Sequence, residues 1–400
     1  MKKVSIFVSC VVLAAMLALS YVPKSHAETI AEMDAATKVA QDWLSGKLKD
    51  YGPAKVTYTG EPFTMQFTAH FPAVAGISKT IFEPSFRILE KMTNGKILVK
   101  SRYGGTVHGA AQGIAAARDG LTDMAPGFVG YDPKSFHLFH VVALPYLFPN
   151  SYVTSIVLET LYPKYFKEEY ERLGVYMGRT GSTAAYRMFS KKPVQSLDDM
   201  KGLKVRAGGG IQTEILKSLG AVPTSVVASQ AYTAFQRGII DAVYIGDAAA
   251  GIFKIQEIAK YRTTLNIDRF ALQYCLSPKF YNKLPRDLQI VLSNWFRAHA
   301  QAEAQVFHWL GDAKARERFR KKGIEIVTLL PEEEKLWRSR VASITEDFIK
   351  EQEAAGRPAR QLIGDIERLV ERYSKMSPNE IMTEVIQNPV QGINTYKSVK

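Results

Sequence analysis

Between residues 63 and 245 the sequence alternates strand-like and helix-like segments, and this alternation constrains the fold more than any other feature of the chain. FTMQFTAH (63–70) has the two-residue period of a half-buried strand, and ISKTIFEPSFRILEKM (77–92) has helical spacing ended by Asn94-Gly95. KILVKSRY (96–103) reads as a strand and HGAAQGIAAARDG (108–120) as a helix stopped at Gly120. LTDMAP (121–126) and VVALPYLF (141–148) read as further strands, followed by a helix at 151–172 and a strand at 175–180. The same grammar resumes after the strand AAYRMFS (184–190), where Ser196 and Asp199 form a capping-box start for a single turn. GLKVR (202–206), 222–227 and 239–245 are strands, separated by helices at 211–219 and 229–237 that stop at Gly220 and Gly238. AARDGLTDMA (116–125) and FQRGIIDAV (235–243) share one helix-to-strand turn, which favours two similar α/β domains over one large sheet.

Beyond residue 270, FALQYCLS (270–277) reads as a strand returning across the molecule. Pro285 opens a helix running to Arg320, which at 1.5 Å per residue spans ~50 Å, long enough to run along both domains. A strand at 324–330 and a helix at 331–356 follow. The division expected is a leader at 1–27, a helical extension at 28–60, one domain from 61–183 with 271–310, a second from 184–270 with 311–350, and a C-terminal helical extension at 351–400. In that last extension Leu362, Ile363, Ile366, Leu369, Val370 and Tyr373 share one helix face, which either packs back on the parent domain or joins a homodimer.

The first 27 residues carry Lys2 and Lys3, an apolar run through Leu19 and a small-x-small ending at Ser25-His26-Ala27, the pattern of a cleaved secretory signal peptide. A periplasmic location is the expectation. Cleavage would remove Cys10 and leave Cys275 alone, so the fold must hold by its core rather than by an internal disulfide. Loss of Lys2, Lys3 and Lys24 reduces the formal charge of +13 but leaves it positive. Because the basic residues are interleaved with acids, as in DAKARERFRKK (312–322), the surplus reads as a solvated surface and not as a nucleic-acid site.

Hydrolase signatures are missing: the chain has no G-x-S-x-G and no H-E-x-x-H, and Cys275 lies in an apolar strand. His137 and His140 have no nearby Cys, Asp or Glu to complete a metal site, and the glycine run at 208–210 lacks the lysine and Ser/Thr of a phosphate loop. No catalytic residue, metal or cofactor is expected. The remaining chemistry lies in two arginines. Arg187 shares a strand face with Ala185 and Phe189, and in KGLKVRAGGG (201–210) Arg206 ends a strand just where three glycines begin. A buried guanidinium needs an anionic partner, either internal, such as Asp241, or a ligand carboxylate gripped through two parallel hydrogen bonds.

PVQSLDDMKGLKVR (193–206), LGAVP (219–223), AYTAFQRGIIDA (231–242) and LPYLF (144–148) occur in an order and at a spacing that resemble the periplasmic substrate-binding subunits of TRAP (tripartite ATP-independent periplasmic) transporters, across about 61–350. The resemblance implies a two-domain periplasmic binding protein fold, with a ligand cleft between the domains and a long domain-spanning helix. It further implies a non-enzymatic protein that captures an organic acid and delivers it to TRAP permease subunits in the membrane. The family's carboxylate-binding arginine falls on Arg206, with Gly208 letting the backbone approach the ligand, and a second family arginine corresponds to Arg187 across a one-residue gap. The chain departs from many members at DAVYIGD (241–247), where Tyr244 and Ile245 stand in place of other residues. Tyr244, Phe128 and Phe270 are candidates for an aromatic pocket, and Asp247 and His70 complete the candidate binding set. Rival readings are an exported enzyme acting on an anionic substrate and a ligand-sensing subunit for a sensor kinase.

Overall fold

The computed structural model describes residues 28–390, so the leader expected at 1–27 lies outside the described residues. Among the described residues eleven strands form two sheets. In chain order they are β1 (Phe63–Thr68), β2 (Ile97–Arg102), β3 (Met124–Pro126), β4 (Tyr176–Arg179), β5 (Arg187–Ser190), β6 (Lys204–Ala207), β7 (Val222–Ser225), β8 (Ala242–Ile245), β9 (Tyr261–Thr264), β10 (Tyr274–Leu276) and β11 (Glu325–Thr328). The first sheet runs β2-β1-β3-β10-β4 and the second β11-β9-β5-β8-β6-β7. Each is mixed: β1 is parallel to β2 and β3, β10 runs antiparallel between β3 and β4, and β5 runs antiparallel between β8 and β9. Helices cover both faces, which is why β3, β4, β8 and β10 are buried at every residue. This is a two-domain α/β architecture.

The lobes are joined where the chain crosses between the sheets twice. Residues 181–186 and 268–272 run antiparallel to each other: Thr183 N donates to Phe270 O at 3.0 Å, Leu272 N to Gly181 O at 2.8 Å and Tyr186 N to Asp268 O at 3.2 Å. The third connection is the long helix after Pro285, continuous from Arg286 to Lys321 but not uniform, since Glu303–Leu310 is wound as a π-helix between α-helical arms.

The strand expected at 141–148 is absent. Leu138–Ala143 is a 3-10 helix, and the chain then turns through Tyr146 at φ 58°, whose N–H donates to Ile267 O at 2.7 Å. Pro145 and Pro149 bracket that turn and cannot donate to a sheet ladder, so the apolar run is buried without a strand partner. The apolar stripe on the C-terminal extension is also settled within the chain. Helix Ala359–Tyr373 packs on Ser151–Leu161 and Ser343–Ala354, burying Leu362, Ile363, Ile366 and Tyr373. Asp365 fixes its register by accepting from Lys164 at 2.8 Å and from the Tyr165 hydroxyl at 2.6 Å. Of the two alternatives for this face, packing back on the parent body is the one these four residues take. A further helix, Pro378–Gln387, meets the N-terminal extension, where Asn379 accepts from Val39 N at 2.9 Å and donates to Ala35 O at 3.1 Å.

Candidate functional site

Arg206 sits at the carboxyl end of β6, the end of an α/β sheet where loops collect and ligands bind. Its register partner is Val243 on β8, which puts its side chain on the face shared with Ile245 and Arg187. It is fully buried, yet among the described residues it enters no ion pair. Its Nε donates to Val226 O at 2.7 Å, Nη1 to Tyr244 O at 3.1 Å and Nη2 to the Tyr131 hydroxyl at 3.5 Å. The Tyr186 side chain also hydrogen-bonds Arg206. Asp241, the internal partner considered from the sequence, turns the other way, since its Oδ2 accepts from Lys204 N at 3.0 Å at the opposite end of β6. Two other buried arginines are matched with carboxylates, Arg262 gripping Asp247 with two bonds of 2.8 and 2.6 Å and Arg179 lying 2.7 Å from Glu303, whereas buried Arg269, away from the aromatic cavity, bonds the carbonyls of Phe148 and Pro149.

Tyr131 and Tyr186 connect this cation to a cavity of about 50 Å³ between the lobes. His70, Phe71, Phe128 and Tyr131 line it from the first lobe and Tyr186, Ala228, Ile245 and Phe253 from the second, with Phe270 between. The rings meet mostly edge to face, as in Phe128–Phe270 at 5.9 Å and 83° and His70–Phe128 at 5.4 Å and 86°, so the wall is largely apolar and aromatic. The Tyr131 hydroxyl accepts from both Arg206 Nη2 and Ala228 N (3.0 Å), the place an incoming carboxylate oxygen would take. A wider open groove of about 720 Å³ borders Tyr131 on Gly208, Gly209 and Gly210. The aromatic cavity is the better candidate because the unmatched buried charge stands behind it.

The glycines after Arg206 act between the lobes. A Cβ on Gly209, at φ 95°, would lie 2.2 Å from Gly130 O, and one on Gly208 would lie 2.6 Å from Phe270 Cε2. Backbone meets backbone here, which only glycine permits. Gly208 N donates to Gln212 Oε1 at 3.0 Å, and Gln212 passes the contact on to Asp268 Oδ2 at 2.7 Å. Asp268 also receives the Tyr244 hydroxyl. Burial pushes the Asp268 carboxyl up to about 7 against these hydrogen bonds.

Of the residues singled out from sequence, Phe128, Phe270 and His70 line the cavity, Arg206 stands one hydrogen bond behind it, and Tyr244 lends its carbonyl to Arg206 while its ring backs the wall. Gly208 lies on the groove side. Arg187 and Asp247 are not in the lining. Arg187 is half-buried and donates to the carbonyls of Tyr186 (3.1 Å) and Leu265, and both oxygens of Asp247 are engaged by Arg262. Sequence reasoning missed Tyr131, Tyr186, Glu303 and His308, all in the lining. For the last two the only signal was their five-residue spacing on the long helix, which matters only where that helix is π-wound. Among the described residues no cluster of three or more His, Cys, Asp or Glu could hold a metal ion, and no helix is long and apolar enough to cross a membrane.

The family model for bacterial extracellular solute-binding protein, family 7, matches residues 83–352. A solute-binding protein of Sulfitobacter sp. (strain NAS-14.1) is 30% identical over 205 residues, spanning 50% of this chain and 58% of that relative, less than two thirds of its length. A TRAP solute-binding protein from Rhodoferax ferrireducens, solved with copurified benzoate, superposes with a TM-score of 0.74 at 19% identity over 78% of this chain and 99% of its own. One from Bordetella bronchiseptica, solved with (R)- and (S)-mandelate, gives 0.73 at 22% identity over the same shares. These likenesses agree with the two-lobed fold, and the family match covers most of both lobes. The chain therefore belongs to the bacterial extracellular solute-binding protein family 7.

Proposed function

We propose that this protein, exported behind a signal peptide at 1–27, captures an organic acid with an aromatic or similarly apolar body and delivers it to the membrane permease of a TRAP transporter. The single observation that carries the reading is Arg206: a fully buried guanidinium with no carboxylate partner among the described residues, held by tyrosine hydroxyls at the wall of an aromatic cavity. Burying a cation without a counter-charge is costly, and a ligand carboxylate supplies that charge with the planar geometry a guanidinium favours. Phe128 and Phe270 then receive the ligand's body. The acids in the two solved relatives, benzoate and mandelate, have this composition. A thermal-shift screen of aromatic, aliphatic, oxo and dicarboxylic acids tests it. A matching acid at 100 times its Kd should stabilise the chain by about 2.7 kcal/mol. A screen in which uncharged aromatic alcohols stabilise as strongly as their acids removes the carboxylate from the reading.

A further inference from the structure

The aromatic cavity has a second polar end. Besides the tyrosines that lead to Arg206, its wall includes Glu303 and His308 from the long helix and His70 after β1. An α-helical ladder brings together residues four apart. The π-wound Glu303–Leu310 segment closes at five, and it puts His308 Nε2 3.2 Å from Glu303 Oε1. Glu303 Oε2 lies 2.7 Å from Arg179, and Glu303 and His308 are each under 5% exposed. Burial alone would raise the Glu303 carboxyl, but Arg179 and His308 hold it at about 2. An ionised carboxylate has only acceptors, so it repels a second carboxylate and welcomes an O–H or N–H. An internal counter-ion need not stand in the ligand wall, since Asp247 neutralises Arg262 outside this cavity. His70, brought down to about 4 by burial first and then by the charges of His108 and Arg206, is neutral, and its buried Nδ1 has no hydrogen-bond partner in the protein.

We propose that the occupant is an aromatic monocarboxylate carrying an O–H or N–H donor on its ring away from the carboxylate, the donor bonding Glu303 in the setting of His308 and His70. This rests on Arg206 holding the ligand's carboxylate.

Calorimetric titration of the full chain with benzoate, 3-hydroxybenzoate, 3-aminobenzoate, 3-methoxybenzoate, the 4-substituted counterparts and isophthalate tests it without altering the protein. At least one hydroxy or amino acid should bind about tenfold or more tightly than both benzoate and its methoxy counterpart, the factor expected for a hydrogen bond to a charged group. Isophthalate should bind more weakly than benzoate. In Glu303→Gln the ratio of donor-acid to benzoate affinity should shrink. If that variant unfolds because Arg179 loses its partner, the ligand series on the unaltered chain decides alone. Equal binding of hydroxy, amino, methoxy and plain acids, with Arg206→Ala abolishing them all, overturns the donor inference and leaves the carboxylate reading standing. Failure of every acid to bind, or unchanged binding in Arg206→Ala, overturns both.

Discussion

Arg206 and Asp268 both bond Tyr244, one at its carbonyl and the other at its hydroxyl, and they make opposite demands on their surroundings. Arg206 has no carboxylate partner among the described residues, so removing it strands no buried anion and should spare the fold. Arg206→Ala should weaken acid binding by roughly 2–5 kcal/mol with a Tm close to that of the parent. Arg206→Lys should bind poorly as well, because an ammonium keeps the charge but loses the two-pronged geometry. Calorimetry of the ligand-free variants beside ligand titration checks both, and a large Tm loss in Arg206→Ala would mark the residue as structural. Asp268 is lifted by burial to about 7 from an ordinary value near 3.9, so the folded chain holds a proton that the unfolded chain has released. Its stabilising contribution is complete below about pH 4 and is lost as pH rises through 7. The Tm of the parent minus that of Asp268→Asn should therefore be larger at pH 5 than at pH 8, by on the order of 2 kcal/mol in stability. A difference independent of pH would contradict the assignment.

At the scale of elements, local chemistry was legible in the sequence where neighbours in the chain settle it. The capping box at Ser196 and Asp199 forms as read, with Ser196 Oγ accepting from Asp199 N at 3.3 Å around the single turn Leu197–Met200. β8 falls inside the segment read as a strand and β6 overruns its segment by Ala207 alone, because glycines punctuate both. The 141–148 run was misread because an apolar composition does not reveal whether a partner strand is in reach. Tyr131 was illegible for a related reason: its partners Arg206 and Ala228 lie 75 and 97 residues along the chain and are adjacent only in space. The C-terminal helix carries its own test. Leu362, Ile366 and Tyr373 are buried against the body, and each such side chain contributes about 1.5–3 kcal/mol. Truncation after Gly356 should lower Tm by several degrees while leaving the mass in light scattering at the same number of chains. A truncation that halves the mass would restore the stripe to a subunit contact.

For the molecule as a whole, the two crossing segments and the long helix are the parts that must accommodate any movement of one lobe against the other. The free volume in the cavity, about 50 Å³, is smaller than an aromatic acid, and Gly130 and Gly209 touch backbone to backbone across the seam. This is the closed arrangement, and an open one must exist for a ligand to enter. Small-angle scattering should therefore show a smaller radius of gyration with saturating acid than without. Superimposable curves would mean that the lobes do not part. If Gly209 must separate from Gly130 before a ligand can leave, escape is timed by the hinge and not by the grip of any one side chain on the acid. Acids of quite different affinity should then share a similar residence time, and whatever parts the lobes would unload every one of them.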